Sequence, residues 1–335
     1  MFAAALADDT TGALEVGALL AKFQARVLLN ADAPLPDCDV AILDTQSRHL
    51  APQQAQATLF RAASRVRDAQ ALWIYKKTDS TLRGPIGAEF DGLLEAFQER
   101  SIVYAPAYPR MGRTLVDGIL LVNGNPVAGT DFGRDPLNPV KESSVPVLIH
   151  ETCRNANRVT IHDASDEADM EQIAESIWPA EEIAAGPAGL AAYWSRLLPL
   201  PVGDPPALPK VDKPIVICGS MHPMSRSQAR AAQQLGVRVI LSPEHPVGNA
   251  RHVAMEMALC ASMAVAEQGA DCLILMGGDT ARATFDVLGC RELTSAGEVA
   301  PGVPLSFTET GLPVVTKAGG FGEPDLVRVI LKRLT

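Results

Sequence analysis

Short unbroken apolar runs alternate along the chain with stretches whose apolar residues recur every three or four positions. In the N-terminal part, Phe2–Ala7, Arg26–Asn30, Val40–Asp44, Leu72–Lys76 and Ile102–Ala105 predict strands buried on both faces. Gly12–Phe23, Pro52–Ala69 and Ile86–Gln98 predict helices between them. The C-terminal part repeats the grammar. Its predicted strands are Ile215–Cys218, Arg238–Leu241, Cys272–Met276 and Val314–Lys317, and its predicted helices are Ser225–Leu235, Arg251–Gln268, Thr280–Leu288 and Glu323–Leu334. Such alternation predicts an α/β chain of two domains, each with a mainly parallel sheet flanked by helices. Between the parts lies PLPVGDPPALP, Pro199–Pro209. A stretch this rich in proline can form neither helix nor central strand, and reads as a stiff extended linker. The expected organisation is an N-terminal domain over 1–198, a linker over 199–213 and a C-terminal domain over 214–335.

Composition adds limits. The 335 residues are 47% hydrophobic and 20% charged, with a mean hydropathy of +0.10, enough to bury a core. Aromatics are only 5%, so Ala, Val, Leu and Ile must fill that core. A net charge of -10 gives no electrostatic reason to bind nucleic acid or an anionic membrane. No apolar run is long enough to span a bilayer. The first residues lack a basic leader region, and Asp8 and Asp9 interrupt their apolar stretch, so no signal peptide is expected. The six cysteines show no C-x-x-C spacing and read as reduced thiols of a cytoplasmic protein. Walker A, G-x-G-x-x-G, H-E-x-x-H and G-x-S-x-G motifs are absent, and the Asp131-Phe132-Gly133 triplet has no kinase-type partner motifs.

In parallel sheets, ligands bind beyond the carboxyl ends of strands. Unusual polar residues gather there in both parts. Asp8-Asp9-Thr10-Thr11-Gly12 follows the first run; one such residue would cap the next helix, whereas four can also orient hydroxyls or accept a proton. Asp44 to His49 follows the third run and carries Arg48, a planar donor pair suited to a carboxylate. Lys76-Lys77-Thr78-Asp79-Ser80-Thr81-Leu82-Arg83-Gly84 follows the fourth and mixes cations, a carboxylate and hydroxyls in one turn, as a small anionic polyol would require. Arg113 and Arg134 lie in later loops, as contacts or as structural residues. In the C-terminal part, Gly219-Ser220, Gly277-Gly278-Asp279-Thr280 and Lys317-Ala318-Gly319-Gly320 each follow a strand. Glycines there let backbone N–H groups approach phosphate, and jointly they point to a nucleotide-sized phosphorylated ligand. His222, beside Ser220, reads as a structural or surface histidine.

These motifs, in this order, resemble the four-carbon acid sugar kinases. The resemblance rests on ADDTTGA at Ala7–Ala13, KKTDSTLRGPIGAE at Lys76–Glu89, GRTLVDGILLVNGNPV at Gly112–Val127 and RDPLNPVKESSV at Arg134–Val145. It continues through GSMHPMS at Gly219–Ser225, GGDT at Gly277–Thr280, APGVPLS at Ala300–Ser306 and KAGGFG at Lys317–Gly322. It implies ATP and Mg2+ as cofactors and phosphorylation of the terminal hydroxyl of threonate, erythronate or a 3-oxo-tetronate. It also implies an acid-sugar site drawn from Asp8, Asp9, Arg48, Lys76, Lys77, Thr78, Asp79, Ser80, Arg83 and Arg113. Within that set Arg48 and Lys77 would hold the carboxylate, Asp79 would be a catalytic residue, and Asp8 or Asp9 would take the hydroxyl proton. The nucleotide site would use Ser220, Gly277, Gly278, Asp279, Thr280, Gly319 and Gly320, with no protein metal ligand assigned. The stretch between Gly219-Ser220 and Gly277-Gly278 is shorter than the family's usual one, and Asp279 stands where many relatives have Glu. That shortening motivates the alternative of a non-catalytic acid-sugar binding protein. Ala-rich helices in both parts would tolerate a homodimer interface.

Overall fold

The computed structural model describes residues 1–135, 138–244 and 249–334. Pro136 and Leu137 of the Arg134–Val145 motif, and Thr335, lie outside the described residues. The chain forms two compact units. One comprises Met1–Val16 with Asn30–Pro201; the other comprises Gly17–Leu29 with the chain from Val202 onward.

In chain order the strands begin with β1 (Ala3–Ala7), β2 (Arg26–Leu28), β3 (Val40–Asp44), β4 (Trp73–Lys77) and β5 (Ser101–Tyr104). A small antiparallel sheet of β6 (Arg113–Val116), β7 (Ile119–Val122) and β8 (Asn125–Pro126) follows, then β9 (Val159–Ile161) and β10 (Glu182–Gly186). The helices among them are α1 (Thr10–Leu19), α2 (Pro52–Asp68), α3 (Ile86–Ala96), α4 (Val145–Thr152), α5 (Glu167–Ser176) and α6 (Ala188–Trp194).

The first unit is built on a wholly parallel sheet in the order β3-β1-β4-β10-β5-β9. β1 is Ala-Ala-Ala-Leu-Ala and every residue is buried, because helices cover both faces and small side chains let them approach closely. α2 starts with Pro at its first turn and buries Ala55, Leu59, Ala62, Ala63 and Val66, one stripe at helical spacing. On one sheet face Trp194 of α6 packs on Tyr75 at 5.2 Å between ring centroids, and the Tyr75 hydroxyl donates to the Pro187 carbonyl at 2.6 Å. Register sets the functional edge. Ala7 pairs with Asp44 on one side and Lys77 on the other, and Lys77 pairs with Gly186. The segments after Ala7, Asp44 and Lys77 therefore leave the sheet side by side.

The second unit contains β11 (Pro214–Cys218), β12 (Arg238–Leu241), β13 (Cys272–Met276), β14 (Glu292–Ala300), β15 (Val303–Thr308) and β16 (Pro313–Lys317). Its helices are α7 (Pro223–Gln234), α8 (Ala250–Gln268), α9 (Gly278–Val287) and α10 (Leu326–Leu334). β12-β11-β13-β16 are parallel, and β15, β14 and β2 extend the sheet antiparallel. Two sequence expectations change here. The Pro and Gly of Ala300–Pro304 read in sequence as a rigid loop, whereas the stretch is the tip of the β14–β15 hairpin, turning at Gly302 with φ of +69°. Arg26–Leu28, assigned by sequence to the N-terminal domain, pairs with β14 of the second unit. The Pro-rich stretch 199–209 carries no helix or strand. Cys218 pairs with Met276, and Met276 with Lys317, so the three Gly-bearing turns also leave their strands side by side.

Candidate active site

Arg48 is the hub of the first unit's strand ends. Its Nε and Nη2 donate to the two Asp8 carboxylate oxygens at 2.7 and 3.1 Å, its Nη1 donates to Asp9 Oδ2 at 2.6 Å, and its Nη2 lies 3.7 Å from Asp79 Oδ2. Burial works against the Arg48 charge, but Asp8, Asp9 and Asp79 outweigh it and hold the guanidinium firmly protonated. Asp79 also accepts from the Thr81 backbone N–H at 2.8 Å and from Arg83 Nη2 at 2.7 Å. Burial raises its pKa, yet Arg83 and Arg48 prevail and hold it well below the usual carboxylate range. Asp9 behaves alike: burial is opposed by Arg48 and Lys77, by the Thr11 hydroxyl at 2.7 Å and by the Gly12 N–H at 2.9 Å, and its pKa falls.

Two loops reach this geometry through left-handed residues that are not glycine, Gln46 (φ +50°) and Leu82 (φ +66°). Such a conformation costs roughly 1 kcal/mol and persists where surroundings fix it. Gln46 Nε2 donates to both Asp44 oxygens at 2.7 Å, and Leu82 is buried. Gly12 is needed for a different reason. A Cβ there would lie 2.8 Å from Lys77 Nζ and 2.8 Å from Asp9 Oδ1.

The structure separates the two lysines. Lys77 faces α1, with Nζ 3.8 Å from Glu15 Oε2. Lys76 points to the opposite sheet face, wholly buried, with Nζ 3.0 Å from Glu89 Oε2 of α3. The expected substrate contact by Lys76 is therefore redirected: period-two alternation sends neighbours on one strand to opposite faces. Glu89 in turn accepts a short hydrogen bond from the Ser47 hydroxyl, tying Lys76 to the Arg48 loop from beneath. Burial raises the Glu89 pKa against the pull of Lys76.

The other expected residues lie at or near the cluster. Thr78 Oγ1 is buried beside the Tyr104 hydroxyl, and Ser80 is half-buried. Arg113 donates from Nη1 to the Met111 carbonyl, and its buried Nε has no hydrogen-bond partner among the described residues. Burial lowers its pKa, while Asp79 and Glu15 pull the other way. Asp135 approaches Arg83 at 3.4 Å. The cations Arg48, Lys77, Arg83 and Arg113 are thus matched by Asp8, Asp9, Glu15 and Asp79. Glu15 escaped the motif reading, and Glu89, the last residue of the Lys76–Glu89 motif, was given no role in it. One signal for Glu15 was present, since it is the sole charged residue of α1, TTGALEVGAL.

In the second unit three turns converge. A Cβ on Gly219 would lie 2.1 Å from Thr280 Oγ1, one on Gly277 3.4 Å from the Ser220 backbone nitrogen, and one on Gly319 3.4 Å from Ser220 Oγ. Gly277 itself has φ of +112°, a conformation suited to glycine. α7 and α9 begin at these turns, so two helix N-termini and their free N–H groups point to the same strand edge. Asp279 is exposed in the first turn of α9. His222 caps α7, its Nδ1 accepting from the Met224 N–H at 3.2 Å. Lys317, buried at the end of β16, donates to Ser225 Oγ at 2.8 Å and the Gly319 carbonyl at 2.6 Å.

Residues 3–160 match the family model described as a sugar-binding N-terminal domain, and residues 242–327 match that of a nucleotide-binding C-terminal domain. The chain is also 32% identical to a D-threonate kinase of Bordetella bronchiseptica, over 89% of this chain and 86% of that protein. The chain belongs to the four-carbon acid sugar kinase family. This family member is 23% identical to a 3-oxo-tetronate kinase of Cupriavidus necator, over 98% of this chain and 96% of that one. Among solved structures, a Haemophilus influenzae protein described as a domain of unknown function superposes with a TM-score of 0.76 at 20% identity, over 99% of this chain and 100% of that one. A Bordetella bronchiseptica domain of unknown function, solved with bound citrate as a domain-swapped dimer, is 29% identical with a TM-score of 0.55, over 100% and 98%. The alignment with the D-threonate kinase runs to 357 positions, more than the 335 residues here, so that relative carries segments this family member lacks. None of the six cysteines is joined in a disulfide, and among the described residues no helix is long and apolar enough to cross a membrane.

Proposed function

We propose that this protein transfers the γ-phosphoryl group of ATP to a terminal hydroxyl of a four-carbon sugar acid, with D-threonate the first candidate. The observation that carries the reading is the convergence of Gly219-Ser220, Gly277–Thr280 and Lys317–Gly320 with two helix N-termini in the second unit. A shortened, non-catalytic domain would have no reason to keep a backbone cradle whose glycines admit no side chain. The D-threonate relative is more similar than the 3-oxo-tetronate relative, which supports the substrate order.

Phosphoryl transfer asks mainly for positioning and neutralised charge. In this reading Lys77, Arg83 and Arg113 receive the substrate carboxylate. Asp8, Asp9 and Asp79 hold Arg48 in one orientation, and together with Thr78 and Ser80 they meet the hydroxyls. Ser220, Gly277, Gly278, Asp279, Thr280, Gly319 and Gly320 receive the nucleotide. The backbone N–H groups of the turns meet its phosphates, and Mg2+ arrives with the triphosphate, bound mostly by phosphate and water oxygens. A homodimer is the assembly we expect, by analogy with the domain-swapped Bordetella protein. The cytoplasm, where ATP and reduced thiols coexist, is the compartment we expect.

A coupled ADP-release assay over D-threonate, L-threonate, D-erythronate and 3-oxo-tetronates tests the reading. Turnover with one of them is expected. No turnover with any, alongside calorimetric binding of a tetronate and none of ATP–Mg2+, would establish the binding-protein alternative.

A further inference from the structure

The carboxylates that sequence marks as proton acceptors are already occupied. Asp8 accepts a bidentate grip from Arg48. Asp9 accepts from Gly12 N–H on one oxygen, and from Thr11 and Arg48 on the other. Asp79 accepts from Thr81 and Arg83, with Arg48 close by. In Asp9 and Asp79 these donors hold the carboxyl below its ordinary range and make it a weak base.

Glu15 is different. Its carboxylate accepts no hydrogen bond from any described residue; its ion-pair neighbour is Lys77 Nζ at 3.8 Å, and its side chain is 22% exposed. It stands on α1 directly above the β4 end, within reach of the charges of Asp9, Arg48 and Asp79, and close enough for Arg113 to feel it. We infer that Glu15, rather than Asp8 or Asp9, takes the proton from the substrate hydroxyl that becomes phosphorylated.

This inference rests on the kinase reading above. In the step, the hydroxyl O–H bond breaks and its proton goes to a free Glu15 oxygen. The hydroxyl oxygen bonds to the γ-phosphorus of ATP. The bond from that phosphorus to the β,γ-bridging oxygen breaks, and ADP leaves with the electron pair. Glu15 then returns the proton to water. Lys77 beside Glu15 keeps the carboxylate ionised enough to serve and sits where a substrate carboxylate or hydroxyl would be held. Burial raises the pKa of Glu15, against the opposing pull of Lys77 and Arg48 and with the repulsion of Asp9 and Asp79 adding to the rise. It thus has the greater proton affinity where Asp9 and Asp79 have less, as a general base requires.

The test compares wild type, Glu15→Gln, Glu15→Asp and Asp9→Asn with ATP–Mg2+ and whichever tetronate wild type phosphorylates. Glu15→Gln should lower kcat at least 100-fold, leave KM for the tetronate within about threefold, and abolish the acidic limb of the kcat/KM–pH profile. Glu15→Asp should keep a limb, displaced along pH. Asp9→Asn should keep the limb whatever its loss of rate, displaced to lower pH because the Asp9 repulsion that helps raise the Glu15 pKa is gone. A Glu15→Gln enzyme with near-normal kcat, or with its loss confined to KM, overturns the inference and leaves the kinase reading intact. Wild type inactive on every tetronate overturns the kinase reading, and the inference with it. Should Glu15→Gln melt early, an unmoved limb in Glu15→Asp decides against the proposal.

Discussion

Arg48 and Asp8 meet through two parallel hydrogen bonds of 2.7 and 3.1 Å, almost wholly out of water. The pair is the mechanical centre of the first unit's strand edge, because the same guanidinium also holds Asp9. Removing it strands buried carboxylates. Arg48→Met should therefore destabilise by about 3–5 kcal/mol, the usual cost of breaking a buried pair from one side. Arg48→Lys keeps the charge but loses the planar fork, so it should fold better than Arg48→Met yet bind tetronate poorly. Urea melts and calorimetry check both. Arg48→Lys with normal tetronate affinity would show that the fork is dispensable.

Acid stability follows from the same cluster. Asp9 and Asp79 have folded-state pKa values below their ordinary value of 3.8, Asp79 well below. The unfolded chain therefore binds their protons first as pH falls, and stability drops. Their contribution is complete above the unfolded value and is lost as pH descends through the folded ones. Asp79→Asn should flatten the stability profile below about pH 4. An unchanged acid limb in that variant would mean that other carboxylates dominate acid unfolding.

The sequence pattern made the strands that carry chemistry legible because each is a short apolar run closed by polar residues. β1, β3, β4, β11, β13 and β16 are all of this kind. It missed β10 and α6, whose Glu-Ile-Ala-Ala-Gly and Ala-Gly-Leu-Ala-Ala-Tyr-Trp stretches carry no period of their own and owe their form to tertiary packing. It also missed the β14–β15 hairpin, where Pro and Gly at the tip looked like loop. At the site, motif adjacency grouped Lys76 with Lys77, while the pleat divides them between sheet faces. Glu15 reaches the cluster only by helix packing, and Glu89, though it closes the Lys76–Glu89 motif, shows its pairing with Lys76 only once α3 is packed.

The Gly219 turn offers a separation of the two ligands. A methyl there would stand 2.1 Å from Thr280 Oγ1, and Thr280 is itself buried in the first turn of α9. Gly219→Ala should force the β11 and β13 turns apart at a cost of about 1–3 kcal/mol and weaken ATP binding at least tenfold. Tetronate binding, built from the other unit, should be unaffected. Calorimetric titration with each ligand measures this, and equal loss of both affinities would mean that the variant has disturbed the whole fold.

Lys317 supplies a stability test with an unusual sign. Among the described residues its buried ammonium has no carboxylate beside it and meets Ser225 Oγ and the Gly319 carbonyl, and burial pushes its pKa from 10.5 down to about 8. Below pH 8 folded and unfolded chains both hold the proton, and the folded chain bears the full cost of a buried charge. Between about 8 and 10.5 the unfolded chain binds the proton more tightly, so stability climbs with pH until that cost is gone. Replacing the group by an uncharged chain of similar length should remove it at once. Lys317→Met should melt higher than wild type at pH 7, by a margin that shrinks as pH rises through 8 and is lost near 10.5. A lysine retained against that penalty needs a functional reason, and its place between Gly319 and the start of α7 suits a phosphate oxygen. The same variant should therefore bind ATP–Mg2+ at least tenfold more weakly while melting higher. A lower melting temperature at pH 7, or a gain that does not vary with pH, would show that the hydrogen bonds of Lys317 outweigh the burial of its charge.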